Sequence, residues 1–411
     1  RERMMEASES DRPYDQQSAV LASSDSPDGC RQILHISGDF PDPLAPGKTP
    51  AIRNLLELVP ERDHIVYSLN RVGWRHGVSG FAFGDGHTAV TYGAPPKGLG
   101  LASYLARVAV YIVEDVARRS LRPSVIHSHK LSIEGLVGDV VARELGVPLV
   151  VSSQGNTDLK ILSARPDLRN RWRRIWSDAA LVFPFAPWTT TGLTRLLGSR
   201  TAPTICLPCP TPQDAIHPPR ETSPVLRTAF HLAGHANKNA TALMQAVAAA
   251  AKTVPDLRLD VVGGGDPEAY ATLANMAASL DPERIKLIGP RPHDEMPAIF
   301  NSAAAVPMPS KRESYGMALI EALMAGAPVL HSRSTGIDGY FEPGDVSIAV
   351  DPTESDELAA GLERIVREQM DFKGRLANLQ SNGGLDRFRR EAIGKSYNEA
   401  ISRLFVSSEN S

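Results

Sequence analysis

The feature that most limits this 411-residue chain is an alternation that is broken once. Short apolar runs alternate with longer segments whose apolar residues recur at helical spacing. Ile33–Ser37, His64–Ser68, Val125–Ser128, Leu149–Ser153 and Leu181–Phe183 read as strands. Pro50–Val59, Leu101–Arg119 and Ser132–Glu144 read as the helices between them. Thr49 suits the N-cap of the first helix and Pro50 its first turn. The alternation stops at CLPCPTPQDAIHPPRETSP, residues 206 to 224, and then resumes. Thr228–Ala233, Leu257–Val262, Ile285–Ile288, Ala304–Met308 and Val329–Ser332 are the later strands. Ala240–Thr253, Ala269–Ser279, Glu295–Ser302, Met317–Ala325 and Ser355–Gln369 are the later helices. Such a pattern predicts an α/β chain with two Rossmann-like, doubly wound parallel-sheet domains. Ligands of such sheets lie outside the carboxyl ends of the strands, so two facing sheets place them in a cleft.

The expected organisation is a disordered polar tail over 1–30, an N-terminal Rossmann-like domain over 31–205 and a Pro-rich linker over 206–225. A C-terminal Rossmann-like domain over 226–385 and a terminal helical segment over 386–411 complete it. The last segment carries an apolar stripe through Phe388, Ile393, Tyr397, Ile401 and Leu404, which suits packing on either domain, including a crossing back to the first.

Composition narrows the function. The formal charge is −3, so no net basic field points to nucleic acid. Three cysteines, Cys30, Cys206 and Cys209, do not make a disulfide framework and suit a reducing compartment. Cys206-Leu-Pro-Cys209 has redox or half-zinc spacing, but a packed linker explains it better. No apolar run reaches membrane-spanning length, and the N-terminus has no apolar signal core.

ESYGMALIEALMAGAPVL, residues 313 to 330, carries the chemistry. Glu313 falls on a loop at a strand's carboxyl end. A helix opens near Tyr315-Gly316-Met317, and its free N–H groups suit an anion. Gly316 admits a phosphate without a Cβ in the way. Glu321, eight positions after Glu313, can lean back toward the helix start. Phosphate would repel both carboxylates, so each suits the hydroxyls of a ribose or a sugar. Carboxylates near a helix start also favour the macrodipole, which is the plainer account.

PSKRESYGMALIEALMAGAPVLHSRSTGI resembles the nucleotide-sugar signature of retaining GT-B glycosyltransferases of family four, the glycosyl transferases group 1. VVGGGDPEAY, KNATALMQAVA and IKLIGPRPHDEMPAIFNSAAAVPMPS extend the resemblance over about half the chain. It implies an acceptor domain over 31–205 and a nucleotide-sugar domain over 226–385, with Glu313 contacting the donor sugar and Glu321 the ribose. Tyr315, Gly316 and Met317 would offer backbone N–H groups to the diphosphate. Thr335, Gly336 and Ile337 would lie near the nucleotide, and Gly263 and Gly264 belong to the family's glycine turn. Lys238 fits the family's diphosphate lysine, while His235 stands where an arginine is expected. Gln154 stands where family members often carry a histidine, and glutamine cannot take a proton.

Other cleft candidates come from strand ends: Asn156 and Asp158 for the acceptor, with His127 and His129 in VIHSHK. For the two histidines a satisfied core role stays open beside a functional one. Lys48 precedes the first helix and could assist an anion, or simply belong to an ordinary loop. The segment PDLRNRWRRIWSDAAL reads as a helix with tryptophans packed inward and arginines outward, leaving a peripheral membrane contact open.

The resemblance implies a hexosyltransferase that moves sugar with retention from a nucleotide-diphosphosugar to a saccharide or lipid-linked acceptor, in polysaccharide biosynthesis. Lys238 and Glu313 are the catalytic candidates. No Asp-x-Asp occurs, so neither metal nor cofactor is expected. The expected location is cytoplasmic, with a peripheral contact at the inner membrane face. The alternatives are a nucleotide-sugar hydrolase or epimerase of the same fold, or an inactive sugar-nucleotide binder suggested by His235 and Gln154.

Overall fold

A computed structural model describes residues 31–95 and 98–407. The expected tail over 1–30, with Cys30, lies outside them. In the N-terminal half, β1 (Gln32–Ser37) leads to α1 (Ala51–Leu56) and β2 (His64–Val72). β3 (Ser79–Phe83) and β4 (His87–Gly93) follow, then α2 (Leu101–Arg118), β5 (Pro123–Ser128), α3 (Glu134–Leu145) and β6 (Leu149–Ser153). α4 (Asn156–Ala164), α5 (Arg169–Asp178), β7 (Leu181–Pro184) and α6 (Pro187–Leu197) complete the half. The strands form one sheet in the order β3-β4-β2-β1-β5-β6-β7, parallel except for β3. The β3–β4 hairpin is absent from the sequence reading because β3 is an exposed edge strand with no buried alternate face. α1 is shorter than expected and has no side-chain cap; Thr49 Oγ1 only approaches the Ala51 N–H at 3.3 Å.

The C-terminal half runs β8 (Val225–Ala229), α7 (Ala240–Ala250), β9 (Arg258–Val262), α8 (Pro267–Leu280) and β10 (Ile285–Gly289). It continues with α9 (Met296–Asn301), β11 (Val306–Met308), α10 (Met317–Met324), β12 (Val329–Ser332) and β13 (Ser347–Val350). α11 (Ser355–Arg367), α12 (Gln369–Ser381) and α13 (Arg390–Ser407) close the chain. β10-β9-β8 and β11-β12-β13 are both parallel, and a parallel bridge between Leu226 and Ala305 joins β8 to β11. β8 begins three residues earlier than expected. The residues after it leave the sheet, and Leu232–Gly234 form a 3-10 turn before α7.

Residues 206–224 cross from one half to the other without regular structure. Both linker cysteines are free thiols, and burial pushes the Cys209 thiol up to about 12, so a packed crossing is the outcome. The chain crosses a second time before α13. Ile393, Tyr397, Ile401 and Phe405 bury against Ile33, Val125, Val150 and Phe183 of the first sheet. Arg62 Nε donates to Asn398 Oδ1 at 2.8 Å and fixes the register. The two crossings touch: the Arg390 N–H donates to Asp214 Oδ2 at 2.8 Å.

Trp172 and Trp176 of α5 are buried, their indole N–H groups donating to Ser132 and Gly198 carbonyls, while Arg171, Arg173 and Arg174 are exposed. Among the described residues no helix is long and apolar enough to cross a membrane.

Candidate active site

α10 begins where the chain leaves β11, and the turn between them sets the geometry. Gly316 takes φ 82°, and a Cβ there would stand 3.1 Å from Leu319 Cδ1 and 3.3 Å from Glu313 Cγ. Only glycine enters this helix start without strain or crowding. No side chain caps α10, so its first N–H groups keep their capacity for a ligand. Tyr315 contributes backbone alone, because its ring is buried edge-on to Phe185 and Tyr340.

Lys238 and Glu313 meet as an ion pair beside this start, although 75 positions separate them. Ser310 Oγ adds a hydrogen bond to Glu313 Oε2 at 3.3 Å. The loops are tied by backbone contacts too: the Lys311 N–H donates to the Asn237 carbonyl at 2.8 Å. His235 is close in sequence, and its Nδ1 is buried with no protein partner. Thr335 Oγ1 bridges the backbone N–H and carbonyl of Glu313, and the Gly336 N–H also donates to that carbonyl. Ile337 is fully buried in the core beneath, so only Thr335 and Gly336 of that loop reach the cleft.

On the other side of the helix start lies a cavity of about 720 Å³. Gly263–Gly265, His231, Pro290, His293, Met317 and Glu321 line it. The glycine turn is required by close approach. A Cβ on Gly263 would sit 2.0 Å from the Phe230 carbonyl oxygen, and one on Gly265 would sit 2.1 Å from His231 Nε2. Glu321 is 8% exposed, and its Oε1 has no hydrogen-bond partner, the His293 ring standing 3.7 Å away. Burial pushes its carboxyl up from the ordinary value, opposed by His293 and the Gln213 N–H. A buried acceptor without a donor is costly in isolation and suits a hydroxyl ligand. His231, Pro290 and His293 escaped the sequence reading, although each follows a strand's carboxyl end.

The N-terminal half reaches the same cleft. Asn156 Nδ2 donates to Thr335 Oγ1 at 3.1 Å, and Trp188 Nε1 to the Gly336 carbonyl at 2.8 Å. Gln154 Nε2 donates to Asp39 Oδ2 at 2.8 Å, and Lys130 Nζ to Asp39 Oδ1 at 2.7 Å. Asp39, Lys130 and the neighbouring Glu134 were not singled out from sequence. Their signal was the same, polar residues following β1 and β5.

Four expectations need correction. Asp158 is fully buried and accepts from the Ser132 N–H, Ser153 Oγ and the Gln154 N–H, so it braces a loop and cannot meet an acceptor. Lys48 commits its three ammonium hydrogens to Asp42 Oδ2, Ser68 Oγ and the Leu69 carbonyl, which leaves none for an anion. His127 lies in the core between Ser152 Oγ and the Tyr397 hydroxyl, 2.8 and 3.0 Å away. His129 lies there too, with its Nε2 3.0 Å from His35 Nδ1.

That histidine network has assigned tautomers. The Val59 carbonyl can only accept, so His64 Nε2 carries a hydrogen and its Nδ1 accepts from His35 Nε2. His35 Nδ1 is then bare and accepts from His129 Nε2. Burial holds all these rings neutral, pushing His129 down to about 3. Among the described residues, His35, His127 and His129 bring three ligand atoms within 4.8 Å of one another. Their mutual bonds and those to Ser152 and Tyr397 account for them as core structure.

Residues 217–383 match the family described as glycosyl transferases group 1. The D-inositol 3-phosphate glycosyltransferase of Corynebacterium aurimucosum is 33% identical over 134 residues, which are 31% of this chain and 32% of that protein. The chain thus spans about a third of the length of this curated relative. Sucrose-phosphate synthase from Thermosynechococcus elongatus superposes with a TM-score of 0.66 at 20% identity, covering 92% of this chain and all of that one. Anabaena HepE in complex with UDP gives 0.62 at 17% identity over 91% of this chain and all of that one. The match to the glycosyl transferases group 1 thus lies in residues 217–383, and the fold that carries it is a GT-B fold.

Proposed function

We propose that this chain is a retaining hexosyltransferase that uses a nucleotide-diphosphosugar donor and a saccharide or lipid-linked acceptor, in polysaccharide biosynthesis. The observation that carries the reading is the uncapped start of α10, set between the Lys238–Glu313 pair and the Glu321 cavity. A diphosphate at that start would meet backbone N–H groups and the Lys238 ammonium together. The nucleoside would extend into the 720 Å³ cavity, where its ribose hydroxyls supply the donors that Glu321 Oε1 lacks. The sugar would extend the other way, toward Glu313. UDP in the related HepE structure supports a nucleotide of this class.

Both carboxylates fall on the donor side, so they do not form an acid–base pair across a glycosidic bond. Retention then follows from attack on the face the leaving group departs from, with the donor phosphate taking the acceptor proton. The protein positions the reactants and stabilises the departing diphosphate. Lys238 supplies fixed charge there, so the reaction proceeds without a metal. The exposed arginines of α5 belong to the same proposal, as a peripheral contact with anionic lipid at the inner face of a cytoplasmic membrane.

Incubation with UDP-, GDP- and ADP-sugars and a panel of saccharides tests the reading. Nucleoside diphosphate released only when an acceptor is present supports transfer. Release without acceptor indicates hydrolysis, and tight binding with no turnover indicates an inactive binder. EDTA should leave transfer intact; loss restored by magnesium would end the metal-free account.

A further inference from the structure

A second cavity, of about 620 Å³, opens between the β1–α1 loop and the start of α3. Gly38, Lys48, Asn70, Arg71, Lys130 and Glu134 line it. Thr157 also lines it, and the adjacent Asn156 reaches Thr335 across the cleft, so this cavity adjoins the donor side.

Glu134 is 1% exposed. Its Oε1 accepts the Gly38 N–H at 2.7 Å, and its Oε2 has no partner. A Cβ on Gly38 would stand 3.1 Å from Oε1, so the loop is fitted closely around this carboxylate. Three cations and one acid line the wall, and two of the cations are paired with acids that lie outside it. Lys48 faces Asp42 at 2.9 Å, and Lys130 faces Asp39 at 2.7 Å. Arg71, the third cation, spends one guanidinium nitrogen on the Ala94 and Pro95 carbonyls, and Glu134 Oε1 stands 3.9 Å from Lys130 Nζ. A phosphate dianion entering this space would find Lys48 and Lys130 already paired and would approach a carboxylate oxygen that no protein donor covers. A neutral hydroxyl offers what the wall lacks, a donor to that oxygen.

We propose that this cavity holds the acceptor as an uncharged, hydroxyl-rich ring, one of whose hydroxyls donates to Glu134 Oε2. The proposal rests on the transferase reading for the word acceptor, and on the cavity alone for the chemistry of the ligand. Burial that lifts the Glu134 carboxyl to about 7 agrees with it, because a bound hydroxyl would stabilise the ionised form.

Calorimetric titration of the full chain tests this, with and without saturating UDP, GDP or ADP. The probes are myo-inositol and glucose, set against myo-inositol 1-phosphate and glucose 6-phosphate. One uncharged ring should bind about tenfold tighter than its phosphorylated counterpart. Glu134→Gln keeps a carbonyl for the Gly38 N–H and places an amide donor where Oε2 stood. It should weaken the ring by about tenfold while nucleotide affinity stays at the wild-type value. Tighter binding of the phosphorylated ring, an unchanged ring affinity in Glu134→Gln, or no binding of either uncharged ring would each overturn the proposal. The comparison of neutral and phosphorylated rings needs no variant, so it decides even if Glu134→Gln does not fold. Absence of nucleotide binding alone would count against the transferase reading and not against the cavity.

Discussion

Glu321 and Glu134 are alike as residues: each is a buried carboxylate with one oxygen unsatisfied by protein. For Glu321, replacement by Gln would remove the carboxylate that the proposed function assigns to the ribose hydroxyls. Nucleoside diphosphate affinity should fall about tenfold to a hundredfold by calorimetry, with no loss of thermal stability near neutral pH. For Lys238, replacement by Ala would remove the fixed charge that the proposed function sets beside the departing diphosphate, and kcat should fall by about 10²–10³ in a nucleotide-release assay. For Glu134 the folded value of about 7 stands above the ordinary 4.5. The folded state therefore holds this proton more tightly than the unfolded chain does. The cost of the buried charge is fully present above about pH 7 and is relieved as pH falls through that value toward 4.5. Chemical denaturation across this window should show Glu134→Gln losing the part of the pH dependence that wild type displays. Glu313, Gly316 and Glu321 were legible in sequence because they share one continuous stretch, where helix chemistry fixes their relation. Asp39, Lys130 and Glu134 were not, since 91 and 96 positions separate the partners that meet.

At the scale of elements, α10 shows why some structure is readable in advance. A left-handed glycine opens it, Gly326 with φ 87° follows its end, and Pro328 prevents continuation, so local chemistry sets both limits. β12 was read to the residue for a related reason: a short apolar run follows that stop. α12 has no such signature. Its apolar positions are few, and Phe372 and Leu376 bury only because α11 returns the chain to the C-terminal core. The helices α4 and α6 follow strand ends closely and lack strong stripes, so tertiary packing decided them. The start of α10 is the element that can be tested. Gly316→Ala should cost about 1–2 kcal/mol of stability from the left-handed backbone. It should also weaken nucleotide binding, because the new methyl presses on Leu319 and Glu313. Denaturant midpoints and nucleotide titration together would check it; wild-type affinity in Gly316→Ala would show that the diphosphate does not approach this turn.

At the scale of the whole molecule, the two-sheet plan follows from alternation alone, and the exchange of partners at the chain's end does not. The stripe of α13 fits either sheet by periodicity. Tyr397 is placed on the first by its hydroxyl beside His127 and by the apolar floor of Ile33, Val125 and Phe183. Tyr397→Ala should cost about 3–5 kcal/mol, while Tyr397→Phe should lose about 0.5–1.5 kcal/mol with the hydroxyl, both read from urea unfolding.

The two crossings between the halves lie against each other, tied where Asp214 receives the Arg390 N–H. Each ribbon therefore braces the other, and cutting that single bond would loosen both passages at once while the cleft contacts of Asn156 and Trp188 stayed in place.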